Sequence, residues 1–261
     1  MSLIRKIVLK TLKTFNRDIS IKHHYTGDKL LLSLYQHKGY WYYGKNREID
    51  TINLFKKYIK ESDYVIEIGG HIGYMSLIFK SIVKDTGTVV VFEPSQENLK
   101  YLRTNTQNHP QIDIIEKGVG NENKVAILYV ENVTGQNNSF LEDYKVFDEN
   151  NKNALNDGVR EKVDVEMISF DSFIDKTGGK LPDFVKIDVE GFESEVIEGA
   201  VDNIRKNIIK FMIEVTRNHE YIYKIFCNSN YDILEENGNK INSLEEFKSK
   251  NYANRFFIPK K

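Results

Sequence analysis

The chain has a single cysteine, Cys227, in 261 residues. That excludes an internal disulfide and a cysteine-cluster zinc site, and it suits a reducing compartment. A dominant charge sign is also missing. Thirty-seven Lys and Arg stand against 38 Asp and Glu, a formal net of −1. With no global basic field, nucleic acid is not an expected partner. No apolar run approaches the roughly 18 residues that a membrane span needs. What is present is a 40% apolar composition and enough length to bury one large α/β domain with an extension.

The first seventeen residues hold Arg5, Lys6, Lys10, Lys13 and Arg17 and no acid. Ile4, Val8, Leu12 and Phe15 recur at helical spacing, which predicts an amphipathic helix with basic flanks. Such a helix packs on the domain or a second subunit, or lies on an anionic lipid surface. Its lysine-broken apolar stretches argue against a cleaved signal peptide. The expected location is cytoplasmic, with peripheral contact at the inner membrane surface as the alternative for the helix. His37–Gly44 is an aromatic cluster expected to form a short strand or cap. Residues 1–47 therefore read as an N-terminal extension and 48–261 as the main domain.

From Glu48 onward the pattern alternates. A helix over Glu48–Ile59 precedes strand Tyr64–Ile68, helix Tyr74–Val83, strand Thr88–Phe92, helix Gln96–Thr106 capped by Ser95, and strand Ile112–Ile115. Strands Lys124–Val130 and Lys162–Ile168 flank a polar stretch at about 131–161, expected to be a substrate-facing lid or a solvated insertion. The rhythm resumes with strand Asp183–Ile187, helix Glu193–Ile204, strand Ile208–Val215 and helix His219–Asn228. Tyr231–Leu234 and Arg255–Ile258 suggest an antiparallel hairpin at the sheet edge. Strands alternating with ten-residue helices imply a doubly wound, mostly parallel sheet.

The most informative segment is Tyr64-Val-Ile-Glu-Ile-Gly-Gly-His-Ile-Gly-Tyr74, followed by Val89-Val-Val-Phe-Glu93-Pro. A buried strand runs through a glycine-rich turn into a helix, and the next strand ends in an acid. Helix N-termini favour anionic or polar ligand groups, and an acid at the second strand's tip suits a ribose. The spacing Gly69-Gly70-His71-Ile72-Gly73 departs from G-x-G-x-x-G, and Glu67 precedes the turn. A carboxylate there opposes a diphosphate and suits a ligand carrying an ammonium or sulfonium. That sign argument favours S-adenosylmethionine over a nicotinamide dinucleotide.

These segments, together with Val185-Lys-Ile-Asp-Val-Glu-Gly191 and Glu195-Val-Ile-Glu-Gly-Ala200, resemble the FkbM family of S-adenosylmethionine-dependent methyltransferases. The resemblance runs from about Glu48 to Val215, with an echo at Asn254-Arg-Phe-Phe-Ile-Pro259. It implies a class I methyltransferase (Rossmann-like) fold with a seven-stranded sheet, to which the residue pattern adds an antiparallel C-terminal edge and an N-terminal helical extension. It also implies O-methylation, often of a sugar hydroxyl. The chain departs from the family in having Glu67 where Asp is usual, and Gly70-His71 where Ala-Asn is usual.

The cofactor-binding residues expected are Glu67, Gly69, Gly70, His71, Gly73, Glu93, Gly118 and Val119. Gly118-Val-Gly-Asn121 is either the adenine site or a glycine turn. Asp188 and Glu190 stand at a strand's C-terminal end, where α/β sheets bind ligands. Either acid is a candidate base or acceptor-orienting group, or the two could hold a divalent cation such as Mg²⁺. Alternatively, Asp188 grips the cofactor while Glu190 forms a local ion pair. His219 is a further candidate for proton transfer, and the alternative for it is a capping role. Glu214 either lines the pocket or closes its strand. Tyr40, Trp41 and Glu48 either cover the entrance or pack on the domain. Cys227 reads as a packing residue at a helix end. The expected partner is a small-molecule or glycan acceptor. The alternatives are a nucleotide-sugar or nicotinamide oxidoreductase, or an inactive binding protein that keeps the fold.

Overall fold

The computed structural model describes residues 3–132, 136–143, 151–152, 158–250 and 252–260. Residues 133–135, 144–150 and 153–157 of the expected lid lie outside them. The extension contains α1 (Leu3–Thr14), β1 (Asp18–Lys22), β2 (Lys29–Ser33) and α2 (Lys38–Tyr43). The first half of the domain follows as α3 (Ile49–Tyr58), β3 (Tyr64–Ile68), α4 (Tyr74–Val83), β4 (Thr88–Phe92), α5 (Gln96–Thr106) and β5 (Ile112–Ile115). Next come β6 (Gly118–Gly120), β7 (Lys124–Glu131), β8 (Arg160–Ser169), α6 (Phe170–Lys176) and β9 (Phe184–Ile187). The remainder is α7 (Glu193–Glu198), α8 (Val201–Arg205), β10 (Lys210–Val215), α9 (His219–Asn228), β11 (Tyr231–Glu235), β12 (Lys240–Ile241), α10 (Leu244–Lys248) and β13 (Ala253–Pro259).

Every residue of β3 is buried, because parallel neighbours flank it and helices cover both its faces. The main sheet has the order β12-β11-β13-β10-β9-β3-β4-β5. Strands β5, β4, β3, β9 and β10 are parallel neighbours, and β13 runs antiparallel to both β10 and β11. This is the doubly wound α/β sheet expected, with seven principal strands and the two-residue β12 added at the edge. The order reverses between β3 and β9, which opens a crevice at their C-terminal ends.

Side-chain alternation divides the core in two. Ile66, Ile68, Val185, Ile187, Phe211 and Ile213 face one layer together with Val196, Ile204 and Phe226 from the helices. Val65, Val89, Val91, Phe184, Met212 and Phe256 face the other, against Phe55, Leu77, Phe79 and Leu102. A smaller sheet, β6-β8-β7, stands beside the main one, its β7–β8 ladder running antiparallel from Lys124↔Met167 to Glu131↔Arg160.

Several expectations change. The aromatic cluster forms the helix α2 instead of a strand, burying Tyr40 and exposing Tyr42 and Tyr43. The hairpin β1–β2 and helix α6 carry no strong sequence signal and appear only in the structure. The helix expected over Glu193–Ile204 is interrupted at Gly199–Ala200, where a Cβ on Gly199 would run into the Gly120 carbonyl oxygen. The terminal antiparallel pair forms at this end of the sheet as expected, with β13 lying between β10 and β11 and β12 added outside β11. Ser95 occupies the N-cap of α5 without a side-chain cap bond. Cys227 is free and exposed instead of packed.

Candidate active site

Alternation also sets a polar row on one face at the strand ends. Glu67 of β3 lies opposite Lys186 of β9, and Glu214 of β10 lies opposite Asn254 of β13. Lys186 is buried, and its Nζ donates to the Gly69 carbonyl at 2.9 Å. It also stands 3.1 Å from Asp188 Oδ2 and 3.5 Å from Glu67 Oε1. Burial disfavours the Lys186 charge, but Asp188 and Glu67 together raise its pKa above the ordinary lysine value. Ser76 Oγ donates to the other Glu67 oxygen at 2.5 Å. Burial pushes Glu67 up to about 7 against the pull of Lys186 and Ser76. Both Glu67 oxygens therefore have protein partners, and the positive charge offsetting this acid comes from Lys186.

The glycine turn sits above this row. Gly69 and Gly73 have φ of +91° and +85°, a region open to glycine at little cost. A Cβ on Gly69 would run into the Asp188 carbonyl oxygen, and one on Gly70 into Val91. Gly73 begins α4 and packs against Leu102; it does not line the cavity. His71 takes a left-handed backbone, φ +48°, which turns its N–H toward Glu93 Oε2 at 2.7 Å. Glu93 Oε1 accepts from Ser95 N at 2.9 Å and Asn98 Nδ2 at 3.3 Å. Burial pushes Glu93 up to about 7 despite these donors.

A cavity of about 320 Å³ opens at this crevice. Of the residues expected to bind cofactor, Glu67, Gly69, Gly70, His71, Glu93, Gly118 and Val119 line it. Pro94, Asn98 and Lys117 line it too, as do Tyr40, Arg47, Glu48, Gln136, Asn138 and Phe140. Gly118 and Val119 reach the cavity as part of strand β6, not from a turn. Trp41, next to Tyr40, packs on the domain instead, donating to the Leu34 carbonyl at 3.0 Å.

Asp188, Glu190 and Glu214 also line the cavity, each offering a carboxylate oxygen within 4.8 Å of the others. Glu190 joins them because it adopts φ +53° beside Gly191 at φ +94°, which ends the strand and folds its side chain back. Burial raises Glu214 well above the ordinary carboxylate range, and the charges of Asp188, Glu190 and Glu193 add to the shift. Among the described residues these three acids are the group that could hold a cation. Three oxygens fall short of the six to eight around Mg²⁺ or Ca²⁺, so water or substrate would complete the shell.

The structure does not bring His219 to this cavity. Asn218 takes a left-handed backbone at the α9 N-cap, and the chain turns away. His219 lines a separate surface depression with Glu220 and Lys248, its ring edge-on to Phe247.

Three buried polar atoms on cavity-lining residues have no hydrogen-bond or ion-pair partner among the described residues: His71 Nε2, the Tyr74 hydroxyl and Asn138 Nδ2. Gln136 Nε2 donates to the Tyr40 oxygen at 3.0 Å, and Tyr40 lies 3.0 Å from His71 Nδ1. The network closes when Tyr40 donates to Nδ1, leaving an Nε2–H on a neutral ring. Burial holds the His71 pKa well below its ordinary value, so the ring stays neutral. The carboxylate of Glu93, the apolar stretch of Val119 and Phe92 and the three unpartnered polar atoms are a lining that fits a polar, nucleoside-bearing ligand.

Sequence reasoning missed Lys186, Arg47 and Gln136 as site residues. Strand alternation could have found Lys186, two residues before Asp188 on the same face. Nothing local marks Arg47 or Gln136, which reach the cavity through tertiary packing.

A reversing, largely parallel sheet with a glycine turn after its central strand and an acid at the next strand's tip is the arrangement of a class I methyltransferase fold. The chain belongs to the FkbM methyltransferase family, whose domain profile matches residues 67–243. That family consists of S-adenosylmethionine-dependent methyltransferases, which argues against the nicotinamide oxidoreductase alternative. No curated protein matches the sequence. Among solved structures, the chain is similar to a methyltransferase FkbM from Methylobacillus flagellatus KT at 17% identity and a TM-score of 0.48. That match covers 76% of this chain and 44% of the other, so this chain spans less than half of that relative. Fibrillarin from Aeropyrum pernix, in complex with natively bound S-adenosyl-L-methionine, gives 12% identity and a TM-score of 0.45 over 94% of this chain and 83% of the other. An S-adenosylmethionine-dependent O-methyltransferase from Thermotoga maritima gives 12% and 0.42 over 82% and 66%. No helix among the described residues is long and apolar enough to cross a membrane.

Proposed function

We propose that the protein transfers a methyl group to a hydroxyl on a sugar or glycoconjugate. The observation that carries this reading is the carboxylate trio of Asp188, Glu190 and Glu214 on the cavity wall. Carboxylates accept hydrogen bonds from hydroxyls, and Asn138, Gln136 and Asn254 add polar groups of both senses to the same cavity. Bound S-adenosylmethionine supplies an electrophilic methyl on its sulfonium. The protein has to orient the acceptor, exclude water and take up a proton.

Asp188, paired with Lys186, is the group assigned to receive the hydroxyl proton. A positioned base contributes roughly 10²–10⁴-fold. Glu214 keeps its own proton and donates to an acceptor oxygen or to Asp188. Tyr40 and Phe140 close the cavity against solvent. An exposed, unpaired Cys227 suits the cytoplasm.

The test is incubation with methyl-labelled S-adenosylmethionine and a panel of glycans, read by mass spectrometry of the products. Transfer to a sugar hydroxyl supports the reading. Transfer confined to amines or carboxylates would overturn it. Tight binding of S-adenosylhomocysteine without turnover on any acceptor would favour the inactive binding protein.

A further inference from the structure

The exposed side of α1 is apolar. The helix turns Leu9 into the protein and half-buries Leu12. Ile4, Ile7, Val8 and Phe15, which cluster on the opposite side of the helical wheel, are 75%, 57%, 50% and 69% exposed. An amphipathic helix packed on its own domain shows the reverse arrangement. Lys6, Lys10, Lys13 and Arg17 are exposed along one flank of this stripe.

Helix α2 adjoins this surface. Lys13 of α1 and Lys38 of α2 both lie over the ring of Tyr35, at 6.0 and 4.6 Å. Two residues beyond the cavity-lining Tyr40, α2 exposes Tyr42 and Tyr43. The charge is divided between the two parts of the molecule. Residues 1–47 hold ten Lys and Arg against two Asp and Glu, a net of +8, whereas the remaining chain carries −9. A formal total near zero conceals this polarity.

We propose that α1, with the α2 tyrosines, is a docking surface for an anionic lipid bilayer. Aliphatic side chains enter the acyl boundary, flanking cations meet lipid phosphates, and exposed tyrosines suit the headgroup layer. A second copy is the poorer occupant. A two-fold contact places the same patch on both partners, and here it would press the exposed lysines of two α1 helices together. Nucleic acid would use the cations but leave the aliphatic stripe wet.

The full chain is mixed with vesicles of phosphatidylcholine alone, or of phosphatidylcholine with phosphatidylglycerol, and binding is read by co-sedimentation. The single tryptophan, Trp41, reports insertion through quenching by brominated lipid. Expected are binding to the anionic vesicles only, weakening as salt rises, and Trp41 quenching. Ile7→Ser with Val8→Ser, and separately Lys6→Glu with Lys10→Glu, should each weaken binding by about tenfold or more. Both pairs are exposed, so S-adenosylhomocysteine binding should persist as the control for folding. Wild type left in the supernatant with anionic vesicles would overturn the proposal. So would an apolar double variant that keeps vesicle binding, or one whose only effect is to turn a dimer into a monomer. RNA binding that depends on the lysines, with no vesicle binding, would overturn it too.

Discussion

The carbonyl oxygen of Asp188 occupies the space where a side chain on Gly69 would begin. The cofactor turn and the acid-bearing strand end thus touch backbone to backbone, and Lys186 ties the same two segments through the Gly69 carbonyl and the Asp188 carboxylate.

Gly69→Ala should therefore disturb both halves of the site at once. Its φ of +91° adds backbone strain to the clash. The expected loss is at least about 2 kcal/mol of stability, with S-adenosylhomocysteine binding abolished. Urea unfolding and calorimetric titration would measure the two effects separately. A stable variant with unchanged affinity would contradict the contact.

Lys186→Met removes the one cation shared by Glu67 and Asp188. Breaking a buried ion pair from one side typically costs about 3–5 kcal/mol. Adding Glu67→Gln should recover part of the loss, because the uncompensated buried charge is then gone. A double-mutant cycle in urea would show positive coupling; strict additivity would mean that the two residues do not interact.

Glu93 makes stability and ligand affinity respond to pH in opposite directions. Its pKa rises from 4.5 to about 7 on folding because of burial. The folded state holds the extra proton between these values, so this contribution to stability is present below about 4.5 and is lost as pH rises through about 7. Ribose hydroxyls donate to the ionised carboxylate, so S-adenosylhomocysteine should bind more tightly as pH rises across the same range. Glu93→Gln should flatten both profiles and weaken binding near pH 8 by about ten- to a hundredfold. Unfolding curves and titrations between pH 5 and 8 would reveal both trends.

The carboxylate trio separates two chemistries. Burial and the neighbouring acids raise the Glu214 pKa, so Glu214→Gln, nearly isosteric with the protonated acid, should largely preserve turnover. Asp188→Asn should lower kcat by roughly 10²–10⁴-fold with S-adenosylhomocysteine affinity retained. A chelator should have little effect. A cation held by the trio would require Glu214 to ionise, and then both the chelator and Glu214→Gln would abolish turnover.

Much of the sheet was legible because β3, β4 and β5 are short apolar runs bounded by glycine or polar turns. Their limits in the sequence and the structure coincide residue for residue. The helical reading of Glu193–Ile204 failed at a contact made by Gly120, nearly eighty residues away in sequence, which no local pattern encodes. His219 was expected at the rim because it follows β10, yet a left-handed Asn218 redirects the chain. Glu67 looked like the charge awaiting a cationic ligand. Its partner Lys186 was visible in the sequence, but their pairing depends on the register between β3 and β9.

The position of β13 gives the protein an unusual assembly order. This strand follows both of its neighbours in sequence yet separates them in space. Until Ala253–Pro259 arrives, β10 and β11 are two open banks with unpaired backbone facing a gap, the kind of exposed edge that recruits foreign strands. Shortening the chain before Ala253 would not trim a margin. It would split the sheet in its interior and remove Asn254 from the cavity wall, so misassembly and loss of the site would come together.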